Sequence, residues 1–301
     1  MADNKYLLFM GCTVPARARN YELSSRAVAE KCGIEFVDEK EFFCCGFPVK
    51  NADWMSCVLM AARNIAIAEK KGLDICSLCS ACTGVLAEVN EHLKHDEKLR
   101  KEVNEKLAKI NPEYKIEGKI TVKHFARILY EDVGVDKIKE LATKPLDMLK
   151  IAPHYGCHYL KPSEVHHWDD VEDPHTLDDL VSAAGAESVK YTDRKFCCGG
   201  ALLAYDQDTA LAVGNHKLEI VKETGADAIT LICPFCAVTY DDNQRTIEAK
   251  FEKEYKIPVL YLPQVLGLAM GLDAKALGMQ FNKIKTKELL KKIEEAKPVE
   301  A

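Results

Sequence analysis

Short apolar runs alternate along the chain with longer segments in which apolar residues recur at helical spacing. The runs in "KYLLFMGC" and "LKIAPHYGC" have the length of a strand and stop at a glycine and a cysteine, which indicates buried strands. The helical stretches include "WMSCVLMAARNIAIAEKKG" and "DTALAVGNHKLEIVKETG", which end at the expected C-cap residues Gly72 and Gly225. Each half therefore reads as four strands with helices between them, which predicts a parallel sheet covered by helices on both faces.

The second half of the chain repeats the first. "CGIEFVDEKEFFCC" matches "AGAESVKYTDRKFCC", "KKGLDICSLC" matches "ETGADAITLICPFC", and "ITVKHFARILYEDVG" matches "IPVLYLPQVLGLAMG". Each matched segment contains an expected buried strand. We predict an α/β protein of two similar Rossmann-like domains with parallel sheets, related by an internal repeat and a pseudo-twofold axis. The predicted domains are residues 1–145 and 146–301, joined through the linker "ATKPLDMLK".

Two segments fall outside the repeat. The first half carries the charged stretch "LAEVNEHLKHDEKLRKEVNEKLAKI", which we interpret as one long helix inserted before its last strand. The C-terminal stretch "NKIKTKELLKKIEEAKPVEA" predicts a charged helix that frays or meets a partner.

Composition excludes several function classes. The chain has 301 residues and a net charge of -6, with acidic and basic residues mixed along it. It has no basic stripe for nucleic acid, no polybasic membrane patch and no apolar run long enough to span a bilayer. Its N-terminal apolar run is too short for a signal peptide, so we expect a cytoplasmic protein.

Thirteen cysteines are conspicuous in a cytoplasmic chain, where structural disulfides are disfavoured. Each half contains a Gly-Cys, then a Cys-Cys-Gly, then a Cys-x-x-Cys, in the same order and at nearly the same spacing. The first set is Cys12, Cys44, Cys45, Cys79 and Cys82, and the second set is Cys157, Cys197, Cys198, Cys233 and Cys236. Both sets fall at or just after the ends of predicted strands, where open α/β sheets bind ligands.

Five thiols in each half limit the kinds of metal or redox site that fit, but they do not identify one. Zinc and an ordinary iron–sulfur cubane each take four ligands, and a thioredoxin-type dithiol needs two thiols. Thiolate-rich sites favour iron–sulfur groups or zinc, and both remain open from the spacing. Cys76 has no counterpart in the second half, and Cys32 and Cys57 lie in helical stretches, so we predict structural roles for these three.

The doubled motif resembles the cysteine-rich, or CCG, domain family. Tandem copies of that domain occur in the B subunit of heterodisulfide reductase and in related subunits of lactate, glycolate and succinate oxidising systems. The stretches "HYGCHYLKP", "VEDPHTLDDLVSAAGAE", "KFCCGGALLAYD", "GADAITLICPFC" and "ITVKH" look most like the reductase subunit of methanogenic archaea. The resemblance covers roughly residues 5 to 275. The first half departs from the second at Phe47, where the second half has another glycine.

The resemblance implies the cofactors, substrate and partners. Each five-cysteine set would hold one noncubane [4Fe-4S] cluster, with its own five cysteines as the ligands. The substrate would be the mixed disulfide of coenzyme M and coenzyme B, reduced to two thiols between the two clusters in methanogenesis. The chain shows no dinucleotide-binding glycine motif and no complete ferredoxin run. Electrons would therefore come from the small ferredoxin-like subunit of heterodisulfide reductase, linked to a larger flavin-bearing subunit and a hydrogenase or formate dehydrogenase.

Several residues near the cysteines are candidates for substrate binding and proton donation. The anionic ends of the substrate would bind to basic residues. The candidates are Arg17, Arg19, Lys50, Arg194 and Lys195. His154 stands where the first half has Phe9 and is the candidate catalytic proton donor, with His158 as a second. We expect His166 and His167 to be exposed.

Two other functions fit the residues. One is a CCG-domain component of a lactate or glycolate oxidising complex, which would show no activity on the heterodisulfide. The other is a zinc-stabilised scaffold, in which the cysteines only hold the fold. A brown protein with broad visible absorption would indicate iron–sulfur groups, and a colourless zinc protein would indicate the scaffold.

Overall fold

The strands of the protein form two parallel sheets, one in each half. A computed structural model describes residues 4–296. The first sheet has the order β2-β1-β3-β4 and the second has the equivalent order β6-β5-β7-β8, with every pair parallel. The strands are β1 Lys5–Phe9, β2 Glu35–Asp38, β3 Asp74–Ser77, β4 Val122–His124, β5 Lys150–His154, β6 Glu187–Ser188, β7 Ala228–Leu231 and β8 Val259–Tyr261. The predicted fold class and internal repeat are confirmed.

Helices connect the strands within each sheet. In the first half they are α1 Thr13–Arg17, α2 Arg19–Lys31, α3 Trp54–Lys71, α4 Ser80–His95, α5 Glu97–Leu107, α6 Phe125–Ile128 and α7 Val135–Leu141. In the second half they are α8 Ser163–His166, α9 Thr176–Ala183, α10 Gln207–Glu223, α11 Pro234–Ala237, α12 Gln244–Phe251, α13 Leu262–Ala269 and α14 Lys287–Glu295. Short 3₁₀ turns occupy Phe47–Val49, Gly200–Leu202 and Met279–Phe281. Over residues 4–296, no helix has both the length and the apolar character that crossing a bilayer requires.

Burial differs between the central strands and two of the four edge strands, β2 and β6. Successive residues of β1, such as Leu7 and Leu8, are both buried although they point to opposite faces of the sheet. Helices therefore cover both faces, as the continuous apolar runs predict. The edge strands β2 and β6 are partly exposed, so the expectation that every apolar run is a buried strand is wrong for these two. Each pairs on one side only, which leaves its outer edge open.

The charged insertion in the first half is two helices, not the single helix that its continuous charge pattern predicts. The break falls at Asp96, whose carboxylate accepts a hydrogen bond of 2.9 Å from the backbone N–H of Leu99. Asp96 is extended and caps the N-terminus of α5. A side chain that satisfies a free N–H at a helix start stabilises a new helix there, and this ends α4 at His95.

The two halves share a packed interface. The rings of Tyr21 on α2 and Tyr261 at the end of β8 stack with centroids 4.0 Å apart. The Tyr21 hydroxyl donates a hydrogen bond of 2.9 Å to the carbonyl of Ile232 in the second half. The C-terminal segment crosses back to α2, where Asn20 donates to the side chain of Asn282 at 3.1 Å. The division at residues 145 and 146 stays a proposal, because the segments after each sheet pack on the other half.

This interface generates a stability prediction at Gly278. Gly278 has a φ of 70°, and a Cβ there would lie 2.7 Å from the Cα of Asn20 in the first half. Gly225 has a φ of 71° but has open space around the same position. Gly225→Ala should therefore cost about 1 kcal/mol from backbone strain alone. Gly278→Ala should cost about 2–4 kcal/mol, because overpacking adds to the strain.

Chemical denaturation of both variants, followed by circular dichroism under anaerobic conditions, checks this prediction. Equal losses of unfolding free energy in the two variants would contradict the close approach of the C-terminal segment to α2.

Candidate metal centre

The cysteine sets lie at the carboxyl ends of strands, as the sequence predicts. In each half the chain leaves the first strand through a left-handed glycine, Gly11 with a φ of 64° or Gly156 with a φ of 69°. The next residue is the first cysteine of its set. The first cysteine of each Cys-x-x-Cys follows the third strand and occupies the N-cap of the next helix, as Cys79 does for α4 and Cys233 for α11. The second cysteine lies one turn into that helix.

The Cys-Cys-Gly segments turn so that adjacent cysteines can face the same space. Their glycines adopt left-handed conformations, with a φ of 96° at Gly46 and 76° at Gly199. In the second half, the N–H groups of Gly199 and Gly200 donate to the sulfurs of Cys197 and Cys198, at 3.4 and 3.3 Å. Backbone donors directed at sulfur stabilise thiolates, the form that binds metal.

All five cysteines of the first set line one small cavity, with a volume of about 30 Å³. The second half closes this cavity, because Pro234 and Phe235, between the two cysteines of its Cys-x-x-Cys, complete the lining. A Cβ at Gly11 would lie 2.9 Å from the sulfur of Cys82 and would fill part of this space. The motifs alone give no sign that Pro234 and Phe235 are neighbours of the first set.

Thiols within each set are close enough to share protons. Hydrogen bonds from Cys44 and Cys82 lower the pKa of Cys45 to about 4. In the second half, hydrogen bonds from Cys157 and Cys198 lower the pKa of Cys197 to about 2. The thiolates of Cys45 and Cys197 are thus stabilised by these neighbours. In the second set, hydrogen bonding to Cys236 and Cys79 also lowers the pKa of Cys233 well below its ordinary value.

The two sets also meet across the interface between the halves. A hydrogen bond to Cys233 and burial raise the pKa of Cys79 well above its ordinary value. Cys79 and Cys233 belong to different halves, and both are buried. The two Cys-x-x-Cys motifs therefore abut at the centre of the molecule.

The donor set fits an iron–sulfur group better than a single metal ion. A tetrahedral zinc site uses four ligands, one fewer than each set provides. Five thiols around one cavity instead suit a group with several metal atoms, each bound by different ligands. The soft thiolate donors favour iron–sulfur groups or zinc over harder metals.

Of the basic candidates for substrate binding, Arg194 and Lys195 already bind other groups of the protein. Arg194 is buried and pairs with Asp173 and, at 2.8 Å, with Asp178. The Lys195 amine donates to the carbonyl of Glu172 at 2.7 Å and to its carboxylate at 2.6 Å.

The other three candidates lie nearer to open surface. Lys50 pairs with Glu88 and lies 5.7 Å from the centre of the Trp54 ring. Arg17 and Arg19 line an open groove between the halves. Arg17 is 61% exposed and lies 3.9 Å from the carboxylate of Asp242.

The histidines differ in their surroundings. His154 is buried, and neither ring nitrogen has a hydrogen-bond partner within the described part of the chain. Burial and the nearby Lys217 lower the pKa of His154 to about 3. His158 reaches the first half and packs edge-on against Phe47, with ring centroids 5.0 Å apart. His166 is buried, not exposed as predicted, because it packs under its neighbours at the end of α8.

Comparison with known proteins agrees with the motifs. A family model described as the CCG cysteine-rich domain matches residues 6–87 and 151–241. The chain is 39% identical, over 97% of both chains, to the B subunit of the ferredoxin/F(420)H(2)-dependent CoB-CoM heterodisulfide reductase of Methanosarcina acetivorans. The chain belongs to the family of heterodisulfide reductase B subunits. The B subunit of the ferredoxin:CoB-CoM heterodisulfide reductase of Methanosarcina mazei is 38% identical, over 97% of this chain and 98% of that protein.

A solved structure supports the fold independently of close sequence similarity. The crystal structure of a hypothetical protein from Helicobacter pylori matches with a TM-score of 0.75 at 16% identity, over 95% of this chain and 53% of that chain. This chain therefore spans about half the length of that protein. At this identity the likeness shows the fold alone.

Within this reductase family member, Cys76 and Cys79 provide a matched test of the ligand set. Both are buried, but Cys76 lies within β3, outside the lining of the cavity that Cys79 lines. Cys79→Ala should lose the iron of the first set, whereas Cys76→Ala should retain the parent iron content and lose about 1 kcal/mol of stability. Iron and sulfide analysis of anaerobically purified protein checks this, and equal iron loss in both variants would contradict the assignment.

Proposed function

We propose that the protein is the catalytic component of a heterodisulfide reductase, which reduces the mixed disulfide of coenzyme M and coenzyme B to two thiols. One observation carries the proposal. The first cysteine set lines a cavity whose lining is completed by Pro234 and Phe235 of the second half, so both halves border the same space. The relatives named as heterodisulfide reductase B subunits support the same substrate.

The ten cysteines would hold two noncubane [4Fe-4S] clusters, one per set. The five-thiol lining of the first cavity supports this count, since a cubane uses four. When bound, iron–sulfur groups supply single electrons and iron atoms that can accept sulfur ligands. Breaking one disulfide takes two electrons and gives two thiolates, which matches two such groups beside one pocket.

The chain's own residues would exclude water from this chemistry. The cysteines at the junction are almost fully buried, with Cys79 at 3% exposure and Cys233 at 7%. Phe235 of the second half covers the first set. In such a setting, an electrostatic interaction between a fixed protein group and a developing thiolate is stronger than in water.

His154 is the proposed group for assisting a departing thiolate. Its pKa of about 3 keeps the ring neutral near pH 7, so it would act by donating a hydrogen bond from a ring N–H. For the anionic ends of the substrate we propose Arg17, Arg19 and Lys50. Arg194 and Lys195 stay in the proposed set with a positioning role, because their charges already meet carboxylates. Lys50 also meets a carboxylate, that of Glu88, so it would exchange this partner for the substrate.

The partners are proposed from the family. The small ferredoxin-like subunit of the reductase would deliver electrons, from a flavin-bearing subunit joined to a hydrogenase or formate dehydrogenase. The names of the relatives describe components of reductases, which supports a role within a complex. Anaerobic protein that is brown and reduces the heterodisulfide with an artificial electron donor supports the proposal. Colourless zinc protein, or iron–sulfur protein inactive on the heterodisulfide, contradicts it.

The shared pocket generates a prediction about turnover. Cys45→Ala and Cys198→Ala should each perturb one iron–sulfur group, leave the other spectroscopically intact, and still remove most disulfide reduction. The reason is that one group could accept only one of the two sulfurs, and an unaccompanied thiolate in a buried pocket is costly. Steady-state reduction rates and electron paramagnetic resonance spectra of both variants check this.

Cys32→Ala is the matched control, because Cys32 is a partly exposed thiol at the end of α2 outside both sets. It should keep the parent rate and spectra. A Cys45→Ala or Cys198→Ala protein that keeps about half of the parent rate would show that the two sets work independently.

A further inference from the structure

The two cysteine sets share their motifs but differ in the buried residues beside them. Equivalent positions can be compared because they lie at the same intervals from equivalent cysteines in the repeat. Around the first set, the residues at three such positions are apolar. Around the second set, all three are polar. The pairs, first half then second, are Phe9 and His154, Val85 and Thr239, and Leu86 and Tyr240.

A fourth position differs in charge, and its second-half residue, Lys217, interacts electrostatically with Cys236, Cys198 and Cys197. Lys217 follows Cys197 at the interval at which Asn64 follows Cys44. Asn64 is fully buried, and its amide is satisfied by the loop before Cys44, since it accepts from the Phe43 N–H at 3.1 Å. Lys217 is 2% exposed, and its amine donates to the carbonyl of Asp193. We call His154, Lys217, Thr239 and Tyr240 the polar layer.

Distances place two members of the polar layer, Thr239 and His154, next to sulfurs of the second set. A Cβ at Gly200 would lie 3.1 Å from the Thr239 hydroxyl oxygen and 3.2 Å from the sulfur of Cys198. A Cβ at Gly156 would lie 3.6 Å from both the His154 Nε2 and the sulfur of Cys236. These polar atoms and sulfurs therefore border the same small spaces.

Several atoms of the polar layer have no partner among residues 4–296. They are both ring nitrogens of His154, the hydroxyl of Thr239 and the hydroxyl of Tyr240. Burying a polar group without a hydrogen bond destabilises a protein, so three such side chains at one place indicate a hydrogen-bonding partner there. The iron–sulfur group proposed for the second set supplies sulfur acceptors at that place.

We infer that the polar layer raises the reduction potential of the iron–sulfur group held by the second cysteine set above that of the first. The inference rests on the proposed function, because it takes both sets to hold iron–sulfur groups. Reduction adds one electron from a donor to the group and breaks no bond. The added negative charge is stabilised by the Lys217 ammonium and by hydrogen-bond donors, which act on iron–sulfur potentials in this direction.

The charged groups around Lys217 do not cancel its effect on the reduction potential. Burial lowers the pKa of Lys217 to about 8, so most of it is protonated at pH 7. Asp193 is the carboxylate whose charge acts on Lys217, and it is already hydrogen-bonded to His216 at 2.9 Å. The cation near the first set, Lys50, is paired with Glu88 and is partly exposed, which weakens its field at the sulfurs.

Redox titration of the anaerobic, full-length protein tests the inference. Electron paramagnetic resonance would follow each group during stepwise addition of dithionite, and Cys198→Ala would identify the signal of the second set. Lys217→Met should lower the reduced-to-oxidised ratio of the second group at least about tenfold at a fixed potential, equivalent to about 59 mV for one electron. The reduction potential of the first group should not change. Lys222→Met, which removes an exposed lysine of the same helix, is the control and should shift neither potential.

Thr239→Val and Tyr240→Phe keep the test decisive if Lys217→Met fails to load its clusters. Both are close in shape to the parent residue and should shift the second potential in the same direction by a smaller amount. An unchanged second potential in these variants, or an equal shift in both groups, would overturn the inference. Protein with clusters but no heterodisulfide reduction would instead contradict the proposed function, and the two potentials could still be compared.

Discussion

Packing ten thiols at the facing ends of two parallel sheets is the constraint on which the rest of the structure depends. The sulfurs must leave water and stay close together without closing into disulfides. Gly11 and Gly156 turn the chain toward the junction between the two halves. Cys79 and Cys233, at the N-caps of α4 and α11, bring further sulfurs to the same junction. The interface between the halves then seals the junction, with Tyr21 and Tyr261 stacked beside it.

This arrangement explains why the repeat is useful to the protein. A single copy of the domain would leave the Cys-x-x-Cys motif at its surface, where solvent reaches it. Two copies bury these motifs against each other, so that Cys79 and Cys233 each change the pKa of the other. The two sites then occupy one low-dielectric region in which charges on one affect the other. Duplication also allows the residues around the two cysteine sets to differ while the cysteines stay the same. Lys217 and Asn64, which occupy equivalent positions, are an example.

Much of the architecture could be predicted from the sequence because strand runs and cysteine spacings are local signals. They indicate the order of the elements, the parallel sheets and the positions of the ten cysteines after strands. The signals failed where tertiary context decides. Asp96 starts a new helix within a charged stretch that reads as continuous. Arg194 lies near Cys197 in sequence, yet Asp178 binds its guanidinium, and Phe235 covers the set in the other half. The polar layer is visible only when the halves are aligned residue by residue.

The central claim is that one heterodisulfide engages both cysteine sets at once. The most direct measurement is an anaerobic titration of the cluster-loaded protein, first reduced by one electron per cluster, with the coenzyme M–coenzyme B disulfide, followed by electron paramagnetic resonance at each addition. The account predicts that both cluster signals change together and that the change is complete at one disulfide per chain. A change confined to one signal, or one that is complete only at two disulfides per chain, would contradict it.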